Sequence, residues 1–241
     1  MTGLAVLVIS VSAPAGAQLD AQLGDAAARL GYGFYVGDEA VVDAATELLQ
    51  RLPDRPEVQY YRALAALRSM QLQAPGAKSN KDFAARCIEH ASAATEHTPL
   101  AAEAWILVAA CSLAGAQRSP LKLFSQRRRD EALQRALDIE PENPRALWVA
   151  AWISGSQRAL QGEQLDAEAR AALVAAVDAF QRVSGDLQSP DWGQAEALAC
   201  YGALLLTEGD VRGARDILEQ ALLTAPGYRV ALDLLSRIAS G

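Results

Sequence analysis

Side chains able to do chemistry are scarce in this chain of 241 residues, which holds two histidines and three cysteines. Cys87 and His90 lie on one helical pattern, and His97 follows with Glu89 and Glu96 nearby. A Cys–His nucleophile needs a third, orienting group, and a metal needs converging ligands with support behind them. Nothing else in the sequence supplies either. No catalytic residue, metal site or cofactor is expected, and both histidines read as structural or surface groups. The stretch GAKS, Gly76 to Ser79, lacks the glycine before its lysine and the preceding strand that a phosphate-binding loop requires. The cysteines Cys87, Cys111 and Cys200 are too few for a disulfide framework. Each sits in an alanine-rich helical pattern, where buried thiols are common. Cys87 and Cys111 fall on helices expected to be neighbours, which leaves a bridge between them open.

Cations are outnumbered, with 22 Lys and Arg against 29 Asp and Glu for a net charge of −7. That balance argues against nucleic acid as a partner, since such proteins carry a basic face. The run Arg127, Arg128, Arg129 does not alter this. Consecutive helical residues fan over about 200°, so the three cannot meet one ligand. It reads as a solvated face answered by Asp130 and Glu131, with an anion or acidic partner as the alternative. Long apolar runs are missing too, so no membrane insertion is expected of the mature chain. A short run, Leu4 to Ala13, lies within the uncharged opening MTGLAVLVISVSAPAGA. Followed by Ala15-Gly16-Ala17, it reads as a secretory leader over residues 1–17. A mature chain of 18–241, periplasmic or secreted and without a lipid anchor, is expected.

What the sequence has in quantity is alanine and well-spaced proline. Alanine favours helix and lets helices approach closely. Pro56, Pro99 and Pro141, and then Pro190 and Pro226, punctuate helical pattern at intervals of roughly 40 residues, the signature of stacked helix pairs. At Ala94–Pro99, Ala136–Pro141 and Ala221–Pro226 an alanine precedes the proline by the same interval. The alanine suits a helix–helix contact, and the proline stops the helix. Pro144 then fits the first turn of a new helix behind Asn143 as its N-cap.

In the segment from Ala195 to Pro226, Gly202 is a small contact residue and Gly209-Asp210 a tight turn. Ala214, Leu218, Ala221 and Leu222 make an inner stripe. This unit resembles one tetratricopeptide (TPR) repeat in register, and AEAWILVAACSLAG from Ala102 resembles the first helix of another. The resemblance implies an all-α, right-handed TPR-like α-α solenoid forming a single domain. About five pairs are expected: 19–34 with 38–52, 56–73 with 81–97, 100–115 with 120–139, 144–157 with 164–184, and 192–208 with 210–225. A capping helix over 228–239 completes it. The turns within pairs are expanded at Ala74–Asn80, Ala114–Pro120 and Gly155–Glu163. All would lie along one edge, as a binding edge or as tolerated surface drift.

In TPR proteins the first helices line a concave groove. Counting from the junction prolines puts Tyr60, Ile106 and Trp148 at groove-facing positions, with Trp152 one turn beyond and Arg145 at the mouth. The alternative is that these rings belong to the core. The resemblance implies a non-enzymatic, exported scaffold or adaptor that binds a protein or peptide partner in that groove. A second reading is a small-ligand-handling accessory protein of a periplasmic transporter. No oligomeric state is specified.

Overall fold

The computed structural model describes residues 15–74, 77–96, 98–115, 122–183 and 190–240. Among these the secondary structure is helical throughout, without a strand. The helices are α1 (Ala15–Val36), α2 (Glu39–Arg51), α3 (Pro56–Leu72), α4 (Ser79–Ala94), α5 (Ala101–Gly115) and α6 (Lys122–Ile139). They continue as α7 (Pro144–Ile153), α8 (Ala167–Val183), α9 (Gln194–Thr207), α10 (Val211–Thr224) and α11 (Arg229–Ser240). Residues 1–14 of the expected leader lie outside the described residues, and Ala15 to Ala17 open α1. His97 and Gly76 lie outside them as well.

The helices associate as the expected pairs: α1 with α2, α3 with α4, α5 with α6, α7 with α8, and α9 with α10, with α11 packed on α10. Odd-numbered helices also touch one another in series from α1 to α11, which makes them the inner layer of a two-layer stack. The layers differ in sequence as their positions demand. Outer α10 buries only Ala214, Leu218 and Ala221, one stripe at helical spacing, and the expected stripe member Leu222 is half-buried. Inner α3 buries every residue from Ala63 to Met70, and α9 buries ten of its fourteen. A helix enclosed on all sides has neighbours on all sides.

Caps fix the boundaries. Asn143 Oδ1 accepts from the N–H groups of Arg145 and Ala146 at 2.9 and 3.2 Å, and Pro144 takes the first turn. Asp210 caps α10 through Gly213 N–H at 2.9 Å. One boundary corrects the sequence reading. Helix α7 stops at Ile153 rather than 157, because Gly155 adopts φ 93°, and residues 156–161 form a 3₁₀ turn.

Cys87 of α4 and Cys111 of α5 form a disulfide, while Cys200 is a buried free thiol. Alanine and glycine govern how near the layers come. A Cβ built at Gly202 would lie 2.7 Å from Leu218 Cγ on α10, closer than atoms tolerate. Gly202→Leu is therefore expected to cost roughly 1–3 kcal/mol or more by overpacking. An unchanged melting temperature would contradict this close approach of α9 and α10.

Candidate functional site

The inner layer is apolar, yet two ion pairs sit inside it. In the first, Glu103 of α5 faces Arg145 of α7. Arg145 Nε donates to Glu103 Oε2 at 2.8 Å, and its Nη2 stands 2.7 Å from Oε1. Asn143 Nδ2 donates to Oε1 at 2.8 Å, and Arg145 Nη1 donates to the Pro190 carbonyl at 2.8 Å. Tyr60 Oη lies 3.4 Å from Glu103 Oε2 and accepts from Trp192 Nε1 at 2.7 Å. A buried charge is tolerable only with such pairing and full hydrogen bonding.

The second pair ties the ends of the chain together. Arg68 Nη2 of α3 donates to Glu196 Oε1 of α9 at 2.6 Å, and Tyr35 Oη of α1 donates to Glu196 Oε2 at 2.9 Å. Glu196 also accepts from Gly193 N–H at 3.0 Å, holding the first turn of its own helix. The Arg68 guanidinium lies 3.7 Å above the Phe34 ring centre, a cation–π contact. Burial first, and then the Glu196 carboxylate, push the phenols of Tyr35 and Tyr228 well above the ordinary tyrosine value. Burial likewise raises the Cys200 thiol. These groups stay protonated. Closure is completed at the rim, where the Arg229 side chain of α11 lies against Gly37 between α1 and α2.

Above the second pair a cavity of about 550 Å³ opens. Phe34, Tyr35, Trp148, Trp152 and Tyr228 supply its aromatic lining, and Glu196 and Cys200 lie at its base. Its rim includes Gly37, Gln73 and Ala114, at the ends of α1, α3 and α5, and Gln157 and Gln161 of the 3₁₀ turn that follows α7. The cavity thus opens on the edge that carries the turns within pairs.

No family model matches the chain, and no curated protein matches it by sequence. Among solved structures, the crystal structure of a thermophilic TPR protein from Thermus thermophilus matches over 92% of this chain and 97% of its own length. Identity is 18% and the TM-score 0.57, so the likeness is one of fold. This chain is a TPR-like helical solenoid. Solenoids of that type serve in general as protein-interaction scaffolds, through the extended surfaces they offer.

The TPR-like solenoid corrects the expected exposure of the groove residues. Tyr60, Ile106, Arg145 and Trp148 are 1%, 0%, 5% and 2% exposed. They belong to the inner layer, as counting from the prolines indicated, but that layer has curled until its concave face is filled by its own side chains. Arg145 is the partner of Glu103 rather than a group at a mouth. Trp152 alone of the five is half-buried, and with Trp148 it lines the cavity. Glu103, Arg68 and Glu196 went unremarked in the sequence, though a signal existed. The tripeptide Ala-Glu-Ala opens α5 at Ala102 and α9 at Ala195; it also opens outer α8 at Ala167, where Glu168 is exposed, so the signal is one carboxylate in the first turn of an otherwise apolar inner helix.

The remaining candidates are accounted for structurally. Cys87 is committed to its disulfide and offers no nucleophile. His90 Nδ1 lies 2.7 Å from Gln59 Oε1, and burial, then Arg62, lower its pKa. Arg127 pairs with Glu131 and Arg129 with Asp130, each at 2.7 Å. Among the described residues no group of three potential ligands could hold a metal ion, and no helix is long and apolar enough to cross a membrane.

Proposed function

We propose that this protein is an exported scaffold that holds a protein or peptide partner at the turn-side cavity. The observation that carries the reading is the filled concave face beside a cavity of about 550 Å³, within the roughly 300–1,000 Å³ of binding pockets. Aromatic side chains line it, the residue types that dominate recognition energy. Export is supported by the leader-like opening and by the Cys87–Cys111 bridge, since disulfides persist in oxidising compartments. The transporter-accessory reading draws on the same cavity, because Trp148 and Trp152 do line it. Its open mouth, with Gln73, Gln157 and Gln161 at the rim, favours a chain segment over an enclosed small molecule.

A photo-crosslinking side chain at Gln161, on the rim, tests the site against one at Leu223, which is exposed away from it. A partner captured in cells from Gln161 and not from Leu223 is the expected result. Equal capture from both positions, or from Leu223 alone, would overturn the cavity as docking site. Export has its own test in native protein. Its N-terminus should be Gln18, with Cys87 and Cys111 resistant to thiol labelling until reduction. An intact Met1 with free thiols would refute it.

A further inference from the structure

We propose that a groove on the junction edge, opposite the turn-side cavity, docks a basic, apolar polypeptide segment of a partner protein through its Lys or Arg side chains. This second surface is independent of the turn-side site, so either can stand without the other.

The groove encloses about 650 Å³, within the roughly 300–1,000 Å³ of binding pockets. It lies across the start of α5, the junction between α6 and α7, and the end of α8. Helix α5 reaches both sites, with Ala114 at the cavity and Glu103 at the groove. Pro99, Leu100, Pro141, Pro144, Val183 and Pro190 supply an apolar wall. Val183 is 44% exposed, so the wall offers surface that a partner can cover.

What the groove accepts follows from its hydrogen-bonding capacity. Its four prolines carry no N–H. The other donors are already spent. Arg145 gives Nε and Nη2 to Glu103, and Nη1 to the Pro190 carbonyl. Asn143 Nδ2 donates to Glu103 and Glu140, and the Asn143 N–H donates to the Glu140 carbonyl. The first turns of α5 and α7, which favour an anion when unanswered, hold Glu103 and the Asn143 cap.

Acceptors, by contrast, are in surplus. Exposed Glu142 makes no hydrogen bond or ion pair among the described residues, and exposed Glu140 receives one bond, from Asn143. The ionisable lining groups are Glu103, Glu140, Glu142 and Arg145, three carboxylates against one bound guanidinium. Arg182, next to Val183 in sequence, does not line the groove. A site rich in acceptors and poor in donors suits an ammonium or guanidinium group. The long aliphatic stems of Lys and Arg lie on apolar surface while their charged heads reach a polar rim, which is the arrangement of the prolines and the two glutamates.

The probe is the capped, dye-labelled peptide Leu-Lys-Leu-Lys-Leu-Lys, titrated by fluorescence anisotropy beside its counterpart with Glu in place of Lys. The lysine peptide should bind the parent protein more tightly. A net charge of −7 attracts any cation, so variants decide the site. Glu142→Lys should weaken the lysine peptide about tenfold and tighten the glutamate peptide. Glu142 is exposed and unpaired, so the melting temperature should hold; Glu142→Gln, a milder change, should weaken the lysine peptide about threefold. Glu219→Lys makes the same charge change on exposed α10 surface outside the groove and should leave both affinities within about twofold. Equal losses from Glu142→Lys and Glu219→Lys, or equal binding of the two peptides by the parent, would overturn the proposal. A photo-crosslinker in the lysine peptide should label residues 99–103, 140–145 or 183. Labelling at Gln157 or Gln161 instead would overturn the groove as its site. Spermidine displacing the peptide at equal concentration would overturn the polypeptide assignment.

Discussion

Glu196→Ala should lower stability by about 3–5 kcal/mol, because it leaves a buried arginine without its counter-charge. Arg68 is 2% exposed and cannot turn out to water without vacating the inner layer. Tyr35 Oη and the Gly193 N–H lose their acceptor in the same step. Domains of this kind have about 5–15 kcal/mol in total, so the variant should be largely unfolded in mild denaturant. Removing both charges, as Arg68→Met with Glu196→Leu, should recover much of the loss, since a buried pair contributes little over an apolar substitute of similar size. Urea melts of the two variants make the measurement. A Glu196→Ala midpoint equal to that of the parent would mean that the contact between α3 and α9 does not form.

Trp148→Ala and Trp152→Ala should separate sharply although one helical turn divides them. The first empties a site in the packed inner layer and should cost about 3–5 kcal/mol. The second removes a half-buried ring at the cavity and should leave the melting temperature within a few degrees while partner capture from Gln161 disappears. In variants retaining a single tryptophan, acrylamide should quench Trp152 readily and leave Trp148 protected. Strong quenching of Trp148 would place it in an open groove after all. Loss of fold on Trp152→Ala would make that ring structural.

Much of the architecture is written locally. The alanine–proline junctions, Asn143 ahead of Pro144, and the outer stripe of α10 each depend on residues a few positions apart, so sequence reading reaches them. Gly202 was legible for the same reason, as a small residue at fixed spacing inside one repeat-like unit. The exposure of Tyr60, Ile106 and Trp148 was not. Their inward direction is set by helical phase, whereas their burial depends on how far the stack curls, a sum of small rotations from every pair. The partnership of Arg68 with Glu196 joins residues 128 apart in sequence, and no local spacing encodes it.

Stacked helix pairs ordinarily behave as one-dimensional chains, in which each unit leans only on its neighbours and fraying from either end is independent. The bonds from Tyr35 and Arg68 to Glu196, with Arg229 laid against Gly37, bend that line into a loop. The end units, normally the softest, become keystones. Amide exchange should therefore be nearly as slow in α3 as in α9, and unfolding should be a single cooperative event rather than a progressive peel. Sequence-distant closure also raises contact order, so refolding should be slower than for an open stack of the same length. That trade exchanges modular adaptability for resistance to being nicked from the ends.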